Sequence, residues 1–418
     1  MIKGNAVRVY LVLSGATALF NALMFTLQQV YYVQTVGMNA LQLVLVGTVM
    51  ELATFVFEVP TGVVADTVSR RLSVIVGMFI TGAGFLIQGL VPHYGAILLG
   101  SVIWGVGFTF ISGARQAWIA GEVGEAELRG VLLRAGQVRE VAVFVGIFLA
   151  TSLGMVVLAL PIIVGSTLTI LLGLWLLWVM PEHGFQPAPR TERTTWHALR
   201  TTFGEGVRVV RSSPILLTLT AVTAFTGAAS EGFDRLGDAH LLNNVHLPRL
   251  GNLEPVVWFG IIQAGAQLLS IATIQVSRRR LERISAAAVP RVLLIANTLT
   301  VAALAIFALA GNLGLAIGAI WSMVIIGAVS GPLYEAWLAG NINPTVRATV
   351  FSMVSQANSM GQFVGGPVIG TVGTTYGLRA ALLLAAIFKF PASVLYALLL
   401  RRGHKAVAGG DPRTRPAE

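Results

Sequence analysis

Charged side chains stand inside stretches otherwise too apolar for them: Glu51, Glu58, Arg115, Arg134, Arg139, Glu140, Glu231, Asp234, Arg235, Asp238, Glu335 and Lys389. At the centre of a membrane-spanning helix such a charge costs roughly 2.5–3.5 kcal/mol on insertion scales, so each one prompts a functional hypothesis. Burial disfavours an ionised carboxylate and a neighbouring guanidinium favours it, so an arginine that moves can make a carboxylate take up and release a proton. On that chemistry Glu51, Glu58, Arg115, Arg139, Glu140 and Glu335 are the candidates for proton coupling. Glu51 and Glu58 share a helical face by their spacing, and Glu335 has no basic residue within its own span. A static salt-bridge network is the alternative. Glu231 and Asp234 suit binding of a cation or proton from outside, or else sit solvated at a helix end.

Uncharged polar residues recur at helical spacing. Asn21 with Gln28, Gln263 with Gln267, and Asn358 with Gln362 each share a face, which fits either a solute cavity or hydrogen bonds between helices. Trp104, Phe108, Phe225, Phe233, Trp337 and Phe351 suit an aromatic or amphipathic ligand, or ordinary packing. Candidate substrate contacts are therefore Asn21, Gln28, Glu231, Asp234, Gln263, Gln267, Trp337, Asn358 and Gln362. Cysteine is absent, which removes disulfides, thiolate metal sites and a cysteine nucleophile. His93, His183, His197, His240, His246 and His404 show no zinc-like pairing, and no phosphate-binding Gly-x-x-x-x-Gly-Lys-Ser/Thr loop occurs. No nucleophile and base converge, so no enzyme, cofactor or metal is expected.

The elements that must position these residues follow from composition. The chain is 55% hydrophobic and 11% charged, against roughly 25% charged in a soluble domain. Charge-free windows such as 9–50, 72–114, 141–181 and 292–334 are each about twice the roughly 20 residues that cross a bilayer core, so each reads as a helix pair. Spans are expected near 9–32, 39–61, 72–91, 95–120, 131–153, 157–179, 213–238, 255–276, 289–310, 314–338, 348–372 and 378–400. Barrel strands would alternate over about ten residues and are excluded by these long runs. The first span shows no small-residue cleavage site and is read as a retained helix.

A net charge of +10 marks topology, not nucleic acid, because the arginines are dispersed over short loops. Arg8, Arg70, Arg71, Arg129, Arg190 to Arg211, Arg278 to Arg283, Arg347, Arg401 and Arg402 all fall on one predicted side, leaving little but Arg249 and Arg379 on the other. That asymmetry puts both termini in the cytoplasm.

A repeat of half the chain is visible internally. The run Ser112-Gly-Ala-Arg-Gln-Ala-Trp118-Ile-Ala-Gly121 returns as Ser330-Gly-Pro-Leu-Tyr-Glu-Ala-Trp337-Leu-Ala-Gly340, and Val68-Ser69-Arg70-Arg71 returns as Val276-Ser277-Arg278-Arg279. The expected architecture is all-α, with twelve transmembrane helices in two pseudo-symmetric six-helix bundles. Bundles are expected at 1–182 and 213–404, with a cytoplasmic linker at 183–212 and a disordered tail at 405–418. Basic residues interleaved with Trp196, Leu199, Phe203, Val207 and Val210 suggest a surface helix in that linker, or a flexible connection.

Twelve spans in two related halves, with Gly62-x-x-x-Asp66-x-x-Ser69-Arg70-Arg71 after the second, resemble the major facilitator superfamily. Its signature is usually written G-x-x-x-D-R/K-x-G-R-R/K, so Thr67 and Ser69 depart from it; in the second half Ser270 and Ile274 replace the Gly and Asp. The resemblance implies a gate made by Gly62, Asp66, Arg70, Arg71 and Glu122. Asp66 would face the start of the eleventh helix near Thr345 to Thr349, and Glu122 would pair with Arg70 or Arg71. The alternative is that the basic residues only set topology. The resemblance also places the tenth helix, with Glu335, at the cavity. Exporter motifs are poor: Ser101 stands where many exporters carry Arg, and the Gly-Pro run lies at Gly361 to Gly370, in the eleventh span and not the fifth.

The expectation is a drug-efflux-like secondary transporter, monomeric in the inner membrane, exporting small lipophilic or cationic molecules by proton antiport. The alternative is a proton symporter or uniporter for a sugar, organic acid or lipid-like solute.

Overall fold

A chain surrounded by lipid must pair its backbone groups internally, and helices do this within one segment. The computed structural model describes residues 2–187, 204, 207–208, 210–211, 213–248, 251, 254–281, 283–285, 288–342 and 347–408. The helices are α1 Ile2–Phe25, α2 Gln28–Gln34, α3 Ala40–Thr67, α4 Arg70–Leu90, α5 Tyr94–Val123, α6 Glu125–Gly154, α7 Leu160–Val179, α8 Pro214–Asn244, α9 Val257–Leu281, α10 Val289–Leu309, α11 Leu313–Gly340, α12 Arg347–Tyr376 and α13 Leu378–Ala408. Among the described residues there is no strand, only an isolated bridge between His246 and Asn312. Ten of these helical paths, with α1 and α2 counted as one, are long and apolar enough to cross a membrane. The more polar α6 and α12 complete two sets of six.

Helix ends follow local chemistry. Asn39 and Gln42 form a capping box at the start of α3, and Ser69, Ser213 and Asn312 cap α4, α8 and α11 through their side chains. Gly124, at φ 80°, alone joins α5 to α6, a left-handed conformation that excludes most other residues. Several helices outlast the predicted spans. Gly62 and Asp66, expected in a loop, lie in the last turns of α3, because the charges that end the lipid-facing stretch do not end the helix. The last helix likewise runs through 405–408. The predicted surface helix at 196–211 lies mostly outside the described residues, as do 409–418.

The packing repeats with the sequence. Contacts of α1 with α6, α3 with α5, α4 with α5 and α4 with α7 reappear as α8 with α12, α9 with α11, α10 with α11 and α10 with α13. Lipid gives little drive for helices to associate by burying apolar surface, so close approach at small residues matters more. Gly146 of α6 lies where a Cβ would come within 2.6 Å of Ala22 on α1. Its counterpart helix α12 carries two glycine faces. Gly361 and Gly365 press on Ala224 and Ala228 of α8, whereas Gly366, Gly370 and Gly373 press on Val44, Leu41 and Ala40 of α3, across the seam between bundles.

That seam closes only one end of the molecule. The far end, where α3 begins, holds one core shared by both bundles: Tyr31, Tyr32, Leu43, Val44 and Phe85 with Leu236, Phe259, Phe307, Ile369 and Leu382. The basic end, which carries Arg70 and Arg278, holds two separate cores among the described residues. One centres on Tyr10, Met78, Trp118 and Leu176, the other on Leu219, Leu293, Leu338 and Tyr396.

A β-carbon at Gly365 would lie 2.6 Å from the Ala228 backbone, whereas one at Gly113 would meet nothing within 4 Å. Gly365→Leu should therefore lower stability by about 1–3 kcal/mol. Gly113→Ala should leave it unchanged or raise it by up to about 1 kcal/mol. Thermal unfolding of the two purified variants checks the contrast.

Candidate functional site

Where the two cores separate, a cavity of about 560 Å³ opens between α1, α5, α6, α9 and α11. Its polar lining is Ser14, Thr17, Asn21, Thr26, Arg115, Arg139, Gln263, Gln267 and Ser270. Phe25 lies among the apolar lining residues and packs on Phe85 and Trp104, with ring centroids 5.2 Å away in each case. Gln263 donates from Nε2 to the Thr26 carbonyl at 2.9 Å, and Gln267 donates to Glu140 Oε2, so α9 is tied to α1 and α6 across the cavity. Arg115 and Arg139 are electrostatic neighbours, and the buried Arg115 Nε has no hydrogen-bond partner among the described residues.

The seam beyond the cavity carries a second constellation. Glu231 and Arg235, one turn apart on α8, form an ion pair at 3.4 Å with side chains 3% and 15% exposed. The pair lies against the backbone of Gly47 on α3, where a Cβ would come within 2.7 Å of Glu231 Oε2 and would also strike Arg235 Nε. Glu51, one turn further along α3, interacts with Arg235 electrostatically and accepts from Ser359 Oγ of α12 at 3.4 Å. One guanidinium thus faces a carboxylate from each bundle. Asp234 is exposed, with Arg235 and Lys389 of α13 as its electrostatic neighbours. Nearer the far-end rim, the Leu41 amide donates to Thr374 Oγ1 at 3.0 Å.

A family profile described as Major Facilitator Superfamily matches residues 9–334, more than half of the chain. The chain belongs to the Major Facilitator Superfamily. An uncharacterised MFS-type transporter of Bacillus subtilis (strain 168), YxaM, is 19% identical over 371 residues, covering 88% of this chain and 90% of that protein. Among solved structures, a point mutant of the nucleoside transporter NupG superposes with a TM-score of 0.79 at 15% identity, over 94% of this chain and 99% of the other. A bacterial homologue of the human lysosomal transporter Spinster, in an inward-facing and unoccupied conformation, gives 0.75 at 16% identity, over 100% and 99%. These likenesses show the fold.

The superfamily's signature segment is arranged differently from the expectation. Glu122, 8% exposed, does not pair with Arg70 or Arg71; its Oε1 accepts the backbone amides of His183 at 2.6 Å and Gly184 at 2.7 Å. Those amides lie just beyond α7 and take the carboxylate as their acceptor, while the nearby arginines find carbonyls. Arg70 instead donates to the Ala117 carbonyl at 3.1 Å and lies over the Phe185 ring, and Arg71 donates to the Leu177 carbonyl. Asp66 has a side chain 61% exposed and, among the described residues, pairs with Arg70 alone, at 3.9 Å. A Cβ on Gly62 would meet nothing within 4 Å among the described residues, in keeping with the parted cores. The expected partner of Asp66 near Thr345 lies outside the described residues, and nothing is described of the side chains at 347–349. Ser69, where the signature carries Gly, caps α4 and donates to Glu182 Oε2 at 2.6 Å, while Glu182 Oε1 accepts the Arg71 amide at 2.8 Å. Sequence reasoning missed Glu182; its signal was an acid at the exit of a span, facing a basic loop.

Other expected site residues scatter. Gln28 is buried and donates to Tyr32 and to Gln88 at 2.8 and 3.1 Å, a packing role within the first bundle. Trp337 joins the basic-end core of the second bundle, away from the cavity. Glu58 and Glu335 are exposed and line neither of the two inner cavities. Asn358 lines a smaller cavity of about 270 Å³ inside the second bundle with Lys389, and Gln362 Oε1 is buried without a partner among the described residues. Gly47 and Arg235 were not assigned to the site from sequence.

Glu122→Ala should cost about 1–2 kcal/mol by removing the acceptor of two partly buried amides. A double-mutant cycle between Glu122 and Arg70, which share the 183–185 segment and no direct bond, should give a weak coupling, near the roughly 0.5 kcal/mol lower end for neighbours. The same cycle on Ser69 and Glu182 should exceed it, with thermal or denaturant unfolding as the readout.

Proposed function

We propose that this superfamily member is a secondary transporter that moves a small hydrophilic solute by alternating access, held here with its cavity open at the basic end. The observation that carries this reading is the unequal division of the core, single at the far end and double at the basic end, with a polar cavity where the two halves part. The arginine asymmetry supports the basic end and both termini as cytoplasmic, in an inner membrane.

The Glu51, Arg235 and Glu231 constellation supplies the coupling. Two carboxylates on one guanidinium leave one negative charge in a seam of low polarity, and a single proton removes it. With one carboxylate neutral, Arg235 no longer holds α3 to α8 through charge on both sides, and the far end is freer to part. Asp234 with Lys389 is the neighbouring charged pair, and Glu58 lies next along α3. Of the transport modes open to the sequence, a polar cavity lined by two arginines supports proton-coupled movement of a hydrophilic solute over export of a lipophilic cation.

The natural absence of cysteine makes the test clean. Leu41→Cys with Thr374→Cys places a disulfide across α3 and α12, where Thr374 Oγ1 already lies 3.0 Å from the Leu41 amide and no glycine is replaced. Ser270→Cys in the same protein should react with a membrane-impermeant maleimide from the basic side whether or not the disulfide is formed. From the far side it should react only once the disulfide is reduced. Far-side labelling that ignores the disulfide would falsify alternating access through this seam. Glu231→Gln should also flatten the dependence of far-side labelling on pH, and an unchanged profile would remove Glu231 from coupling.

A further inference from the structure

We infer that the cavity is a binding site for a small hydrophilic organic anion, a carboxylate or phosphate monoester on a hydroxylated carbon skeleton, with Arg115 and Arg139 as its charge partners. The inference rests on the alternating-access reading of the same cavity and deepens it by naming the cargo.

Charge is the first argument. Among the described residues, Arg115 and Arg139 are the only charged groups in the lining, which contains no aspartate or glutamate. Glu140, next to Arg139 on α6, accepts from the Gln267 amide at the rim and keeps its negative charge, so the two arginines leave a net excess of one positive charge at the cavity. Neither arginine forms an ion pair among the described residues, while each raises the electrostatic cost of the other. Two guanidinium groups facing one cavity repel, and an anion between them removes that repulsion and gains both attractions. The guanidinium fork also matches carboxylate and phosphate oxygens in pairs. A cation entering the cavity would meet the same field with the opposite sign.

The neutral lining supplies the rest of the recognition. Thr17, Asn21, Gln263 and Gln267 offer hydroxyl and amide groups that can donate to or accept from alcohols, and Phe25 provides one apolar wall. Gln263 and Gln267 come from the second bundle and both arginines from the first, so a bound solute would touch both halves of the machine. Such a contact is what allows binding energy to bias a rocking motion.

The experiment uses Ser270→Cys in the otherwise cysteine-free protein, in phosphatidylcholine nanodiscs open on both faces. Two thiol reagents of opposite charge are compared, the anionic ethylsulfonate and the cationic ethyltrimethylammonium methanethiosulfonates, each normalised to a free thiol. The anionic reagent should be favoured about tenfold or more by the local potential. The preference should collapse in Arg115→Gln with Arg139→Gln and persist in Arg139→Lys, which keeps the charge and controls for misfolding. Three probes of matched skeleton, gluconate, sorbitol and N-methylglucamine, are then tested for protection. Gluconate should slow labelling in the parent and not in the double arginine variant. The inference is overturned if the cationic reagent is favoured or equal, if gluconate gives no protection, or if sorbitol or N-methylglucamine protects as well. It is also overturned if phosphatidylglycerol in the disc protects where gluconate does not, which would assign the arginines to a lipid headgroup. Labelling by neither reagent would instead remove the open cavity itself, and with it the reading on which the inference stands.

Discussion

Everything in this molecule depends on how closely backbones can approach in a solvent that offers helices no reason to gather. Lipid tails are as apolar as leucine, so packing contacts and buried polar links must hold the bundles. Gly77, Gly84, Gly100 and Gly107 let α4 and α5 meet without side chains between them, and Gly361 with Gly365 does the same for α12 on α8. Gly47 extends that logic to electrostatics: by leaving out a side chain it makes room for an ion pair from the other bundle.

The two charged constellations divide the labour by their balance. At the seam, Arg235 faces both Glu231 and Glu51, so the excess there is a single negative charge, which one proton removes without any solute. In the cavity, Arg115 and Arg139 form no ion pair among the described residues, and the positive excess beside Glu140 is what the inferred anion would meet. Uncompensated charge is unfavourable near a membrane interior. A chain that keeps it has a use for it, and the open end of the cavity is where water can solvate it while the site is empty.

The fold was legible because its strongest signals are one-dimensional. Charge-free windows longer than a bilayer, and a repeated Trp118 and Trp337 motif half a chain apart, require nothing about how helices face one another. Helix ends were less legible, since Asp66 and Glu125 leave the lipid without leaving the helix. The polar residues at helical spacing were visible too, but spacing does not say what lies opposite. Gln263 and Gln267 face the cavity, whereas Gln28 meets Gln88 and Tyr32 in the interior of its own bundle. The partners of Glu122 were hidden for a different reason: they are backbone amides, which every residue but proline carries and no sequence pattern marks.

The stripe of Gly366, Gly370 and Gly373 on α12 has a meaning apart from packing. A transporter is distributed between conformers, and the occupancy of each is set by small free-energy differences. On the proposed alternating-access cycle this stripe meets the opposite bundle when the far end is shut, so an added carbon, at Gly370 above all, would penalise that conformer more than the other. At Gly370 and Gly373, which lie away from Glu231, evolution therefore has at hand a dial for resting occupancy apart from the proposed solute and proton sites. Drift along that one helix face would change how long the carrier waits facing each side, and so its kinetics, with its chemistry left intact.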